Sequence, residues 1–387
     1  MTTALTFEGF RRSNGDVGIR NHVLVLSIMD SANQTVRRIA DMINFVTPVT
    51  IQYGRGQFGA DEEMTTRSLI GLASNGNVAA CVIVSLEPVS AQRVADAVMA
   101  TGKPVEVVAI QRSGDPLRAA AEGAEKAARL VRYASRLHRE KLPLAELTVG
   151  VECGGSDTTS GIASNPAVGW IADQVVDAGG RVVLSETSEI LGAEHLLARR
   201  AVNQEVADRI FEIVGNVEGE AWRRGVDIRG ANPVPDNIKG GLTTIEEKSL
   251  GAILKGGTRD VQGVLAYAER PTGKGLYVMD TAAPAVESLT GLAAGGCQII
   301  LFTTGVGNSV GVKLVPVVKV SGNPNTVRTM AISIDADVSA VTLGEASLKE
   351  AGTALLADVG HYLNGANTSS EILGEEDVAI SKIESTI

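Results

Sequence analysis

The run His22-Val-Leu-Val-Leu-Ser27 is apolar at nearly every position. A strand with one wet face alternates apolar and polar side chains. A strand without that alternation is covered on both faces, as in a parallel sheet between helices. Residues 47–52, 79–84 and 105–110 repeat the pattern, and helical stretches lie between them at 31–43, up to 73, and at 90–100 and 115–139. Further apolar runs stand at 147–151, 181–185, 275–279, 298–303 and 315–320. Strands alternating with helices predict an α/β fold of parallel doubly wound sheets. The segment 141–146, with Pro143, predicts a linker between two α/β domains, 1–142 and 143–387, the second carrying most of the site motifs. A chain with 44% hydrophobic but only 3% aromatic residues, and 43 glycines, suits such layers better than a β-sandwich.

Open parallel sheets bind ligands beyond the carboxyl ends of their strands. Chemistry is densest at two such ends. The run 147–151 leads into Glu152, Cys153, two glycines and then Ser156, Asp157 and Ser160. Asn165-Pro166 reads as a helix start, a side-chain cap followed by proline at the first helical position. The run 181–185 leads into Glu186 and Glu189, with Glu194 and His195 close behind. Other strand ends supply Asp280, Thr304 and Asn308. Thr244 and Glu247 fit a capping box, and Lys248 and Lys255, seven residues apart, share a helix face.

Several classes are excluded. A net charge of −10 argues against nucleic-acid binding. Cys81, Cys153 and Cys297 make neither a disulfide framework nor a metal knuckle. No signal-like or membrane-spanning run is seen, which predicts a cytoplasmic enzyme. Gly54-Arg-Gly-Gln-Phe-Gly59 lacks the acidic ribose partner of a dinucleotide site. It reads as a tight turn, or as a loop whose N–H groups and Arg55 meet a substrate carboxylate. Gly307-Asn-Ser-Val-Gly311 matches a nucleophile elbow, but a strand rather than a helix follows it. Of the four histidines, His138 reads as solvated, His361 as packed and His22 as the edge of a buried strand, leaving His195 for a site. Arg20 is either solvated or turned to an anionic substrate, and Cys153 either packs or serves the site.

Eight words run in order along the chain: Gly15-Asp-Val-Gly-Ile-Arg-Asn21, Gly154-Gly-Ser-Asp-Thr-Thr-Ser-Gly161, Leu184-Ser-Glu-Thr187, Gly192-Ala-Glu-His195, Gly240-Gly-Leu-Thr-Thr-Ile-Glu-Glu-Lys-Ser-Leu-Gly251, Lys255-Gly-Gly257, Met279-Asp-Thr281 and Leu301-Phe-Thr-Thr-Gly305. Together they resemble the large C-terminal region of the altronate/galactarate dehydratase family, which includes the sulfolactate sulfo-lyase beta subunit. The resemblance implies a lyase that removes water, or sulfite, from a 2-hydroxy or 2,3-dihydroxy acid to leave a 2-oxo acid. A large subunit inactive without a small partner is the other reading.

Such an elimination needs a base, and cations or a metal to hold the developing dianion. The expected catalytic residues are His195, Glu186, Lys248 and Cys153. Arg20, Asn21, Arg55, Gly155, Ser156, Asp157, Ser160, Thr304 and Asn308 are expected to bind substrate. Glu189, Glu194 and Asp280 are expected to hold a divalent ion, Fe2+ or Mn2+ before Mg2+; Arg20, Lys248 and Lys255 are the cationic alternative. Tyr53, Gln57 and Leu86-Glu87 stand where the family pattern has His and Cys, which sets the substrate apart. The large-subunit pattern opens at Gly9, almost at Met1. A separately encoded small β-rich subunit is therefore expected as partner, together with a homo-oligomer.

Overall fold

The computed structural model describes residues 6–383. Strand β1 (Thr6–Arg11) turns at Asn14-Gly15 into β2 (Val17–Gly18), antiparallel to it. Then β3 (His22–Ser27), β4 (Val46–Val49), β5 (Val78–Ser85) and β6 (Val105–Ala109) form a parallel sheet in the order β4-β3-β5-β6. The chain returns through β7 (Glu140–Pro143), which pairs antiparallel with β1. A second parallel sheet uses β8 (Thr148–Cys153), β9 (Arg181–Leu184), β10 (Val261–Leu265), β11 (Gly275–Met279) and β12 (Ile299–Thr304). After the short β13 (Gly311–Val312), β14 (Val317–Ser321) and β15 (Ala336–Asp337) complete it, in the order β10-β11-β9-β8-β12-β14-β15. Last, β16 (Glu376–Asp377) pairs with β13.

Burial on both faces explains the apolar runs. In β3, Val23 and Val25 pack in one layer with Val36, Ile39 and Ala120, while Leu24 and Leu26 pack in the opposite layer. That opposite layer also holds Tyr267, Leu292 and Phe302 from the second sheet, so the two sheets share a core. Helix Gly59–Ser74 lies against helix Ala285–Ala294. Contact there is close enough that a Cβ on Gly71 would fall 2.3 Å from the Ala294 carbonyl oxygen. Two buried amides stitch the seam. Asn75 Nδ2 donates to the carbonyls of Ala293 (2.7 Å) and Cys297 (2.9 Å), and Asn77 Nδ2 to those of Gln298 (2.9 Å) and Leu314 (2.8 Å). Among the described residues no helix is long and apolar enough to cross a membrane.

Several local expectations are corrected. Part of the 141–146 segment forms β7. The helix expected at 115–139 stops at Ala134. Asn165 is no cap: a π-helical turn, Ser160–Ser164, runs straight into helix Asn165–Asp177. Its side chain is spent on tertiary bonds instead, accepting from Thr303 Oγ1 (2.5 Å) and donating to the Gly251 carbonyl (2.9 Å).

Candidate functional site

In the second sheet, β8 and β12 are neighbours whose crossovers run in opposite directions, the switch point where a crevice opens. The loops beyond both strands interlock there. Gly155, at φ 65°, turns its carbonyl to accept from the N–H groups of Gly305 (3.0 Å) and Val306 (2.9 Å). The Asp157 side chain lies against Gly305, where a Cβ would come within 2.2 Å of it. Its carboxylate accepts from Thr159 Oγ1 (2.6 Å), Ser160 N (3.1 Å) and Asn323 Nδ2 (2.8 Å). Ser156, Asp157, Ser160 and Asn165 thereby line one wall of a cavity of about 300 Å³. Glu247 and Lys248, from helix Ile245–Ala252, line the other.

Two glutamate–lysine pairs stand close by, and of their four residues Lys248 lines the cavity. Glu186 follows β9 in the left-handed region, at φ 70° and ψ 76°. That conformation costs a non-glycine residue about 1–2 kcal/mol. Its N–H donates to Thr281 Oγ1 (2.7 Å), and its carboxylate accepts the Cys153 N–H (2.8 Å). Lys255 comes from the 3-10 turn Ile253–Gly256 and places Nζ 3.0 Å from Glu186 Oε2 and 3.0 Å from Cys153 Sγ. Lys255 is 0% exposed and Glu186 2%. One turn on, Glu189 pairs with Lys248 at 2.9 Å, and Asn232 bridges them, accepting from Lys248 (2.9 Å) and donating to Glu189 (3.2 Å). Behind the first pair stands Glu152, 0% exposed; among the described residues neither of its oxygens has a hydrogen-bond partner.

Burial governs the charge states. It raises the pKa of Glu152 well above the usual carboxylate range; the Glu186 charge adds to this, and Lys255 and the nearby Ser288 hydroxyl oppose it less. Burial also raises Glu186, with Lys255 opposing and Glu189 adding. It pushes the Cys153 thiol up to about 12, so Cys153 is neutral at physiological pH. For Lys255, burial works against the ammonium, but its contact with Cys153 Sγ and the bonded Glu186 carboxylate outweigh it and keep the charge. The group thus carries a fixed ammonium, its paired carboxylate and a neutral acid.

The D-galactarate/altronate dehydratase C-terminal domain matches residues 144–386, and the second domain of D-galactarate dehydratase/altronate hydrolase matches residues 9–135. The chain belongs to the D-galactarate/altronate dehydratase family. It is 44% identical over 380 residues to the (2R)-sulfolactate sulfo-lyase subunit beta of Chromohalobacter salexigens, covering 98% of this chain and 97% of that protein. The altronate dehydratase of Bacillus subtilis is 35% identical over 331 residues, 82% of this chain and 66% of that enzyme. The galactarate dehydratase (L-threo-forming) of Escherichia coli is 39% identical over 214 residues, 55% of this chain and 41% of that enzyme. All three are lyases by name.

In this dehydratase-family chain, Cys153, Glu186 and Lys248 come together as pairs and near-neighbours. Gly155, Ser156, Asp157, Ser160 and Thr304 shape the adjoining loops, where Thr304 Oγ1 accepts the Gly307 N–H and Asn308 Oδ1 that of Val310. His195 does not join them. The short helix Glu194–Ala198 turns it to solvent, and among the described residues its ring makes no hydrogen bond. Glu189, Glu194 and Asp280 do not converge either: they are taken by Lys248, the Gly192 N–H and Thr187 Oγ1 respectively. Among the described residues no three His, Cys, Asp or Glu side chains form a metal-holding group.

Arg20 is a tether rather than an open anion receptor. All five of its N–H donors are spent, on Glu371 twice and on the carbonyls of Ile19, Tyr362 and Ala366. Asn21 is likewise used, by Arg12 and Ala134. Arg55 is exposed and lies beyond the first sheet, apart from the Lys248 cavity. Sequence reasoning named Glu152 at its strand end without giving it a part, missed Asn232 and gave Lys255 only a secondary part. The one available signal was a carboxylate, Glu152, ending a run otherwise apolar.

Proposed function

We propose that this chain is the large subunit of a lyase that eliminates sulfite from a 2-hydroxy-3-sulfonate acid of the sulfolactate type. The observation that carries this reading is the match to a sulfo-lyase beta subunit along 98% of this chain and 97% of that protein. Elimination of water from a sugar acid is the second reading, supported by the altronate dehydratase likeness.

The chemistry is a β-elimination. A base takes the proton at C2, the C2 electrons form a double bond to C3, and sulfite leaves C3 with the electrons of the carbon–sulfur bond. The enol then becomes a 2-oxo acid. Charge grows on the substrate carboxylate as the proton leaves, so fixed cations beside it lower the barrier. Lys248 lines the cavity and is suited to meet the carboxylate. Glu186 is suited to act as base, because its raised pKa moves it toward the working range of a general base. Lys255 holds Glu186 in place, and Ser160 can bond the C2 hydroxyl. No step is routed through a metal on Glu189, Glu194 or Asp280. A divalent ion, if used, draws donors from the small β-rich subunit proposed to dock over the cavity.

Sulfite and 2-oxo acid would be measured with sulfolactate or altronate as substrate, with and without the small subunit. Expected are equal yields of both products from sulfolactate by the complex, abolished by Glu186→Gln. Dehydration of altronate with no sulfite from sulfolactate would favour the second reading. Turnover of neither substrate sinks both.

A further inference from the structure

The first sheet has a switch point of its own, between β3 and β5, and a cavity of about 290 Å³ stands beyond it. Its wall is the glycine loop 54–59, with Gly54 at φ 112°, Gly56 at 67° and Gly59 at 56°. The loop presses so closely on the end of β3 that a Cβ on Gly54 would lie 2.4 Å from the Ile28 carbonyl oxygen. Two polar atoms in this wall are buried and, among the described residues, unpartnered: Gln57 Nε2 and Thr65 Oγ1. Thr65 is only 5% exposed. Native proteins seldom leave such groups unsatisfied, and two in one small cavity point to a bound acceptor.

The surroundings agree on its chemistry. Helix Gly59–Ser74 starts at this wall, and its N-cap, Phe58, supplies no side-chain cap, so first-turn N–H groups stay available to an acceptor. Arg55 and Arg93 also line the cavity. Glu62 shares Arg93 only at 3.4 Å. Glu87, which senses Arg55, caps the next helix through the N–H groups of Val89 (2.6 Å) and Ser90 (2.9 Å). The first-turn acid Asp61 accepts the Ile383 N–H. Ile28, Leu69 and Val94 give apolar contact.

The two buried unspent groups can donate above an apolar floor, and the Glu62 carboxylate lines the rim beside Arg93. We infer that this cavity binds a small carboxylate or sulfonate with a short carbon body, at a site separate from the Lys248 cavity and independent of the lyase reading. Such an anion can be a product of the chain's own reaction or an unrelated metabolite. Pyruvate represents the first source, and methanesulfonate and succinate the second.

Calorimetric titration of the full chain with each probe tests the inference, using wild type, Thr65→Val, Gln57→Leu and Lys248→Ala. Thr65→Val is isosteric, and thermal melting verifies the fold of each variant. Expected is saturable binding of at least one probe, weakened about tenfold or more by Thr65→Val and by Gln57→Leu, and kept by Lys248→Ala. The probe that binds tells which source is meant. Unchanged binding in both cavity variants, loss of binding in Lys248→Ala, or no binding of any probe to wild type would each overturn it. Lyase activity is read separately, so failure of the lyase reading leaves this titration interpretable.

Discussion

Lys255 is shut off from bulk solvent, with one carboxylate and one thiol for company. Its worth to the fold is best seen by asking what its removal leaves. Lys255→Met strands the Glu186 carboxylate in a dry site, which costs about 3–5 kcal/mol in comparable buried pairs. The double variant Lys255→Met, Glu186→Gln removes both charges and should recover most of that loss while staying inactive. Urea titrations of the three proteins check this; equal stability of the single and double variants would mean the pair is not coupled. Glu152 gives a pH test. Its folded pKa is raised, so as pH climbs past the ordinary carboxylate value the unfolded chain ionises while the folded chain keeps its proton. Wild-type stability therefore falls over that range, and Glu152→Gln removes the penalty. The variant should gain more over wild type at about pH 8 than at about pH 5, read from melting temperatures.

At the scale of elements, the site depends on two loops that have no room to spare. Gly305→Ala would drive a methyl into the Asp157 carboxylate, so the Gly154–Gly161 loop must move. The expected cost is about 1–3 kcal/mol of stability, with a larger loss in kcat than in KM if Asp157 only shapes the cavity. Steady-state kinetics and a melting curve on that one variant test both halves. This is also the scale at which the chain was readable. Strands such as β3, β5 and β12 are buried on both faces and show as unbroken apolar runs, and the residues just past them, Cys153 and Glu186 among them, could be named as site candidates. Strands β1 and β7 could not. Glu140-Lys-Leu-Pro143 carries two charges and a proline, and its partner lies about 130 residues away, so no local signal marks it. Lys255 was half legible because its partner is chosen by how helix Ile245–Ala252 lies over the strand ends. His195 misled for the converse reason: nearness in sequence to Glu186 says nothing about which way a short helix turns its side chain.

Across the whole molecule, the seam between the sheets makes two parallel layers into one cooperative body. Helix Gly59–Ser74 meets helix Ala285–Ala294 at Gly71, and Asn75 and Asn77 cross the boundary. Wild type should therefore unfold in a single calorimetric transition. Gly71→Leu, which forces those helices apart, should split it into two. Two transitions already in wild type would show that the shared core does not couple the halves.

The Arg20 tether has a consequence in time. Its guanidinium grips Glu371, 351 residues further along. During synthesis at about 5–20 residues per second, Arg20 is made roughly 18–70 s before that carboxylate exists. The first sheet is contiguous and can close at once, but its N-terminal border must wait with an unmatched charge until the final helices emerge. A segment among the first to be made is thus among the last to be locked.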